Sequence, residues 1–137
     1  MKKFTFAKKS KLMNQEALKT LCLESCEIIK EVGNFIRAEL GKVKANAIEV
    51  KALNSLVSYV DKEAETQLVK GLGALLPAAT FLTEEETVKS EKGTYQWIID
   101  PLDGTTNFLH QLPFFSVSVA LQHEEQTVIG IVYEVNQ

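Results

Sequence analysis

The chain has few of the residues and segments that build disulfide scaffolds, zinc clusters or membrane spans. Its 137 residues include two cysteines and two histidines. No apolar run approaches the roughly 18 residues that a membrane-spanning helix requires. The N-terminal residues lack a continuous apolar stretch, which predicts no signal peptide. We therefore expect a cytoplasmic protein with no membrane partner.

The two cysteines and the charge balance exclude two further classes. Cys22 and Cys26 lie four residues apart in a predicted helix, and two ligands cannot complete a tetrahedral zinc site. We interpret them as small buried apolar residues in a reducing compartment. The formal net charge is −3, whereas nucleic-acid-binding proteins usually carry a basic face. No nucleic-acid partner is expected.

Helical periodicity predicts a long first helix over Ser10–Leu40. Gly33 lies inside it and suggests a close contact with another helix, since glycine otherwise weakens a helix. Gly41 is the predicted C-terminal cap. Residues at spacings of three and four form the buried stripe, namely Leu18, Leu21, Ser25, Ile28, Val32 and Phe35.

The next segment predicts a connection followed by a second helix. Residues 41–58 show no clean period and suggest one short strand near Ile48–Lys51. Ser58 begins a capping-box-like start that places Asp61 in the first turn. The residues predicted to end this helix are Gly71, Gly73 and Pro77.

The remaining segments alternate or are rich in β-forming residues, which predicts strands. They are Thr80–Thr83, Tyr95–Asp100, Phe115–Gln122 and Val128–Val135, with the last two joined by a polar turn. Two helices followed by an antiparallel meander predict a single α+β domain over residues 1–137, with both helices packed on a mainly antiparallel sheet.

Two aspartates follow the second predicted strand at a spacing of three. Pro101 fixes the backbone between Asp100 and Asp103, so both carboxylates can point to one side of a tight turn. Gly104 and Thr105 then open a short helix, whose first backbone N–H groups can bind an anion. Carboxylates repel phosphate unless divalent cations lie between them, and Mg²⁺ prefers such oxygen ligands. This pattern favours water activated by a metal and directed at a phosphate. The alternative is a turn whose carboxylates cap the next helix.

The acidic run Glu84–Glu86 follows another predicted strand. If that strand neighbours the strand that ends at Asp100, Glu84 reaches the same metals. By itself, a run of three glutamates is more often a solvated loop.

Two other sites with aspartate and glycine fail on spacing. In an EF-hand register with Gly104 at the sixth position, Ile99 and Pro101 would occupy the first and third ligand positions. Phosphatases with an aspartyl nucleophile place two aspartates two residues apart, whereas here Pro101 stands at that position. Covalent catalysis by an aspartate is therefore disfavoured.

At these residues the sequence resembles the inositol monophosphatase family of Mg²⁺-dependent, lithium-sensitive phosphatases, relatives of fructose-1,6-bisphosphatase. Trp97–Phe108 matches the family signature closely, and Pro113 and Val117–Leu121 match its continuation. Phe81–Glu85 resembles the family's Gly-Glu-Glu motif, with Thr where Gly is usual. Val57–Asp61 resembles its Val-Thr-x-x-Asp segment. The resemblance implies the N-terminal half of a layered αβαβα fold.

The resemblance also implies a role for each matching residue. Glu84 would bind the first metal and help to hold the nucleophilic water, and Asp100 would bridge two metals. The Leu102 carbonyl would complete the first site. Asp103 would bind the second metal and contact the substrate. Glu85 matches a nearby acidic position of less certain role.

The remaining implied roles concern the attacking water and the phosphate. Thr105 would orient the water, and Asp61 would support the Thr105 hydroxyl. The backbone amides of Gly104 and Thr105 would hold the phosphate. Asp61 also has a simpler interpretation, a helix N-terminal charge, and the Thr105 hydroxyl could serve only to start a helix.

The chain departs from the family in length. Family members are about twice as long, and a third metal-binding aspartate lies in their C-terminal half. This chain has only Asp61, Asp100 and Asp103, so we expect an N-terminal half whose C-terminal partner half is absent. The resemblance implies that the complete enzyme holds two or three Mg²⁺ ions and forms a homodimer. It would hydrolyse a small phosphorylated alcohol, and inositol monophosphate is the substrate that the resemblance favours most. The alternative is a catalytically incomplete fragment that binds a metal or a partner.

Overall fold

The computed structural model describes residues 10–45 and 50–137, and it has the predicted α+β architecture. In these residues, two long helices come first, followed by two strands, a short helix and two further strands. Their bounds are α1 Gln15–Ala45, α2 Val50–Leu75, β1 Thr80–Thr83, β2 Tyr95–Asp103, α3 Thr105–Leu109, β3 Ser116–His123 and β4 Gln126–Glu134.

The first helix begins and ends later than the sequence predicts. It begins after Asn14, whose side-chain oxygen accepts a hydrogen bond from the Ala17 N–H at 2.8 Å and so caps the helix. It continues through Gly41 to Ala45. Gly41 does not have the positive φ of a C-terminal cap, so its prediction as a cap is wrong. The helix continues through Gly41 because this residue does not adopt the left-handed conformation that would end it.

The second helix begins at Val50, well before the predicted start at Ser58. Its buried stripe already includes Leu53 and Val57, so the helical period extends into the predicted connection. The predicted strand near residues 48–51 lies partly outside the described residues, and Val50 and Lys51 are helical. The glycines at 71 and 73 do not end the helix. Gly71 lies against α1, where a Cβ would approach Ile28 Cγ2 to 2.7 Å.

The four strands form one sheet in the order β1-β2-β3-β4. The pairs β2–β3 and β3–β4 are antiparallel, as predicted, with Trp97 opposite Leu121 and Val119 opposite Ile131. The sheet is therefore mainly antiparallel, as predicted. The one departure from the predicted meander is β1, which pairs in parallel with β2. Residues 84–94 form the connection that returns the chain to the start of β2, and a connection of about a dozen residues is typical for parallel pairs.

The helices cover one face of this sheet and form the core with it. Fully buried residues from both layers include Ile36, Leu68, Trp97 and Val117. The opposite face carries Leu82 and Val132, whose side chains are 43% and 68% exposed. In the part of the chain that the structure describes, no helix has the length and apolar character needed to cross a membrane.

Gly33 makes a close contact with β4, not with a helix as predicted. A Cβ at this position would overlap the Tyr133 ring, with Cδ1 at 2.9 Å. Gly33→Ala is therefore expected to destabilise the chain by about 1 kcal/mol. Overpacking costs about 1–3 kcal/mol, and the better helix propensity of Ala returns only part of it.

Gly41→Ala is the matched control for this substitution, since a Cβ there meets nothing within 4 Å. Urea unfolding should give a lower midpoint for Gly33→Ala and a higher midpoint for Gly41→Ala. Equal increases would show that the Tyr133 ring yields without cost.

Candidate active site

The sheet topology places the acidic ends of β1 and β2 side by side. Because these strands are parallel and Thr83 pairs with Ile99, Glu84 follows β1 directly beside Asp100. The Glu84 carboxyl group lies near enough to Asp100 to raise the pKa of Asp100. The structure thus meets the condition under which both residues belong to one site.

A β-bulge controls the direction of the two aspartates. Asp100 pairs with Ser118 and Asp103 with Ser116, so two residues of β2 lie opposite one residue of β3. In a regular strand, residues three apart point to opposite faces. The extra residue returns Asp103 toward the side of Asp100, and Pro101 is tolerated because a bulge interrupts the ladder.

Asp100 is held in an environment that disfavours its charge. Burial raises its pKa to about 6, and the Glu84 hydrogen bond, the Glu84 charge and the Asp103 charge act in the same direction. A hydrogen bond with the Leu102 backbone opposes this shift. The Asp100 Oδ1 atom is buried and has no hydrogen-bond partner among the described residues. A buried carboxylate oxygen without a hydrogen-bond partner is suited to binding a cation, which would supply the missing interaction.

Asp61 of α2 completes the acidic cluster from the helical layer. It is only 8% exposed, and burial raises its pKa to about 7, followed by the charges of Glu85, Glu84, Asp100 and Glu65. Because α2 begins at Val50, Asp61 lies in the middle of the helix. This position removes the simpler interpretation of Asp61 as a helix N-terminal charge.

Gly104 makes the sharp turn from β2 into α3. Its φ of 97° and ψ of 37° are left-handed, and a Cβ would approach the Phe114 carbonyl oxygen to 2.9 Å. Both features require glycine. The Thr105 hydroxyl begins α3 and donates a hydrogen bond to the Leu102 carbonyl at 3.1 Å. Phe108 anchors the short helix by packing edge-on against Phe115.

Comparison with known proteins decides the family. The sequence model of the inositol monophosphatase family matches residues 17–137. The chain belongs to the inositol monophosphatase family. It is 38% identical over 104 residues to an inositol-1-monophosphatase of Mesorhizobium japonicum, a match that covers 75% of this chain and 39% of the relative.

Two further relatives extend this finding. The Nus factor SuhB of Escherichia coli strain K12 is 36% identical over 106 residues, covering 77% of this chain and 40% of the relative. The second is staphylococcal inositol monophosphatase-II, whose structure was solved with inositol monophosphate bound. This chain superposes on that structure with a TM-score of 0.66 at 28% sequence identity. That match covers 89% of this chain and 42% of the other. The chain thus spans about two fifths of the length of these relatives, and it covers the N-terminal half of the inositol monophosphatase family.

The donor groups fit one part of a divalent-cation site. Asp100 offers its unpartnered oxygen, and Glu84 follows the neighbouring parallel strand at the same end of the sheet. Hard cations take such oxygen ligands. Across residues 10–45 and 50–137, no three His, Cys, Asp or Glu side chains already form a metal-binding group. The described acidic residues therefore offer oxygen donors without forming a complete three-residue metal-binding group.

The structure also identifies one buried acidic residue that the sequence analysis does not single out. Glu65 lies one helical turn after Asp61 and is 0% exposed. The i, i+4 spacing of two acids on an otherwise apolar helix face was the available signal. The cysteines are free thiols and only half-buried, so they are less buried than predicted, although Cys22 does pack against the core.

Proposed function

We propose that this chain is the N-terminal part of a Mg²⁺-dependent phosphomonoesterase that hydrolyses a small phosphorylated alcohol. The observation that carries the proposal is the meeting of Glu84, Asp100 and Asp61 at the shared end of two parallel strands, next to the glycine turn into α3. Carboxylates bind a metal cation, and the metal cation together with the backbone amides at the start of α3 would attract an anionic substrate such as a phosphate.

In this proposal Glu84, Asp100, the Leu102 carbonyl and Asp103 would hold the metal ions. When bound, Mg²⁺ would lower the pKa of a bound water and neutralise phosphate charge. Asp100 would supply its unpartnered oxygen and lie between two ions. Asp103 would contribute from the exposed end of β2, near the substrate. Glu85 is half-buried, and its charge helps to raise the pKa of Asp61.

The other residues would handle the water and the phosphate. Because the Thr105 hydroxyl donates a hydrogen bond to the Leu102 carbonyl, the hydroxyl oxygen is left to accept one from the attacking water. Support of this hydroxyl by Asp61 would require the hydroxyl to rotate. The amides of Gly104 and Thr105 would bind phosphate oxygens, because the first N–H groups of a helix lack partners within the helix.

Inositol monophosphate is the first substrate to test, since a staphylococcal relative has been solved with that compound bound. We also propose a homodimer for the complete enzyme, a cytoplasmic location and no nucleic-acid substrate. The free thiols of Cys22 and Cys26 and the net charge of −3 support the last two.

A second candidate function is that of a catalytically incomplete module that binds a metal or a protein partner. One observation favours it: among the described residues, no three His, Cys, Asp or Glu side chains form a metal-binding group. The name Nus factor, carried by relatives from Haemophilus influenzae, Pasteurella multocida and Escherichia coli, favours a protein partner.

Phosphate release from myo-inositol 1-phosphate separates the two candidates. The chain extended by the C-terminal half of a relative is expected to release phosphate only with Mg²⁺ and to be inhibited by Li⁺. The chain alone, assayed in parallel, is expected to be at least about a hundredfold slower, because each lost metal ligand weakens charge stabilisation. No Mg²⁺-dependent release by the extended protein would refute the phosphatase.

A further inference from the structure

The Glu65 carboxylate binds the loop that carries Glu84 and Glu85. It lies in α2 with no exposed surface, yet both of its oxygens are used. One accepts a hydrogen bond from the Glu85 backbone N–H at 2.8 Å, and the other accepts from the Thr87 N–H at 2.9 Å. The two N–H donors satisfy both oxygens of this carboxyl group, as a buried polar group requires.

The residue between these two amides has an unfavourable backbone conformation. Glu86 has a φ of 53°, in the left-handed region that side-chain-bearing residues seldom occupy. Such strain persists only where the surroundings hold it. The two hydrogen bonds to Glu65 bracket Glu86, so they hold the turn in this form.

The position of Glu65 is also electrostatically unfavourable. Its charge is one of those that raise the pKa of the nearby Asp61. A buried acid in an acidic cluster costs stability, and an apolar side chain would fill the same space without that cost. A gain elsewhere must offset this cost. The loop that Glu65 holds begins directly after β1, with Glu84 against Asp100.

We propose that Glu65 is a positioning residue: its carboxylate holds the turn at residues 85–87 so that Glu84 and Glu85 face Asp100 and Asp61. The inference has one consequence that rests on the proposed function, namely that Glu65 affects the affinity of the site for Mg²⁺. Its first step concerns only the backbone of this chain, and it can be tested without metal.

The experiment compares Glu65→Gln and Glu65→Ala with the control Glu63→Gln. Glu63 lies on the same helix and contacts Gln67, not the loop. Amide hydrogen exchange is followed by NMR in EDTA. Glu65→Ala should speed exchange at Glu85 and Thr87 by at least about tenfold, with core amides of β2 and β3 unchanged. Glu65→Gln keeps one acceptor and should release one of the two amides. The control should change neither.

The second readout is Mg²⁺ affinity, measured by calorimetry on the same chain. Glu65→Ala should weaken it about 10–100-fold, the effect typical of losing a group that orients a metal ligand. Unchanged exchange at both amides, or faster exchange at all amides alike, would overturn the proposal. So would local release with undiminished Mg²⁺ affinity. Absence of Mg²⁺ binding by the unsubstituted chain would count against the proposed function, and exchange alone would then decide whether Glu65 holds the turn.

Discussion

Asp100→Asn is expected to abolish Mg²⁺-dependent phosphate release in the complete enzyme while raising the stability of the metal-free protein. The activity loss should be about a thousandfold or more, since a lost bridging carboxylate removes several kcal/mol of charge stabilisation. Stability should rise because burial, Glu84 and Asp103 all disfavour the Asp100 charge. An asparagine carries no charge for these neighbours to repel.

The opposite directions of the two effects distinguish a site residue from a folding residue. Urea unfolding in EDTA and phosphate release with Mg²⁺ measure them on one preparation. Glu91→Gln is a suitable control, because Glu91 is exposed and pairs only at the surface with Lys89, at 3.4 Å. Near-normal turnover of the Asp100 variant would remove Asp100 from the mechanism. Loss of both activity and stability would reduce it to a structural role.

The metal-free chain is expected to lose stability as pH rises from about 4 to about 7. The pKa of Asp61 rises from 3.8 to about 7 on folding, and that of Asp100 from 3.8 to about 6. In this window the folded chain keeps protons that the unfolded chain releases, so rising pH favours unfolding. Asp61→Asn should therefore raise the urea midpoint at about pH 8 and leave it nearly unchanged at about pH 4.

The difference between wild type and variant is the quantity to measure, because other carboxylates also titrate in this range. Glu63→Gln again serves as the control on the same helix, and it should shift the midpoint equally at both pH values. If Asp61→Asn gave a constant shift from pH 4 to pH 8, Asp61 would not be the group whose proton uptake stabilises the fold. Added Mg²⁺ at about pH 8 is expected to stabilise the wild type, since a cation relieves the same repulsion.

Much of the site could be predicted because its parts are local in sequence. The turn from Asp100 to Thr105 depends on a proline, a glycine and two carboxylates within a few residues. The tight turn and the short helix follow from those neighbours, whereas the bulge depends on the pairing of β2 with β3. The strands β2, β3 and β4 could likewise be predicted, because the alternation of apolar and polar residues that marks a strand is visible in the sequence itself.

The sequence by itself therefore determined the α+β class, the turn that carries the aspartates and the family. Tertiary structure alone decided the parallel pairing of β1 with β2, which places Glu84 beside Asp100. It also decided the central, buried position of Asp61 and the hold of Glu65 on the acidic loop. The physical reason is that these contacts join residues far apart in the chain. Their energies depend on burial and on neighbouring charges, which no local pattern records.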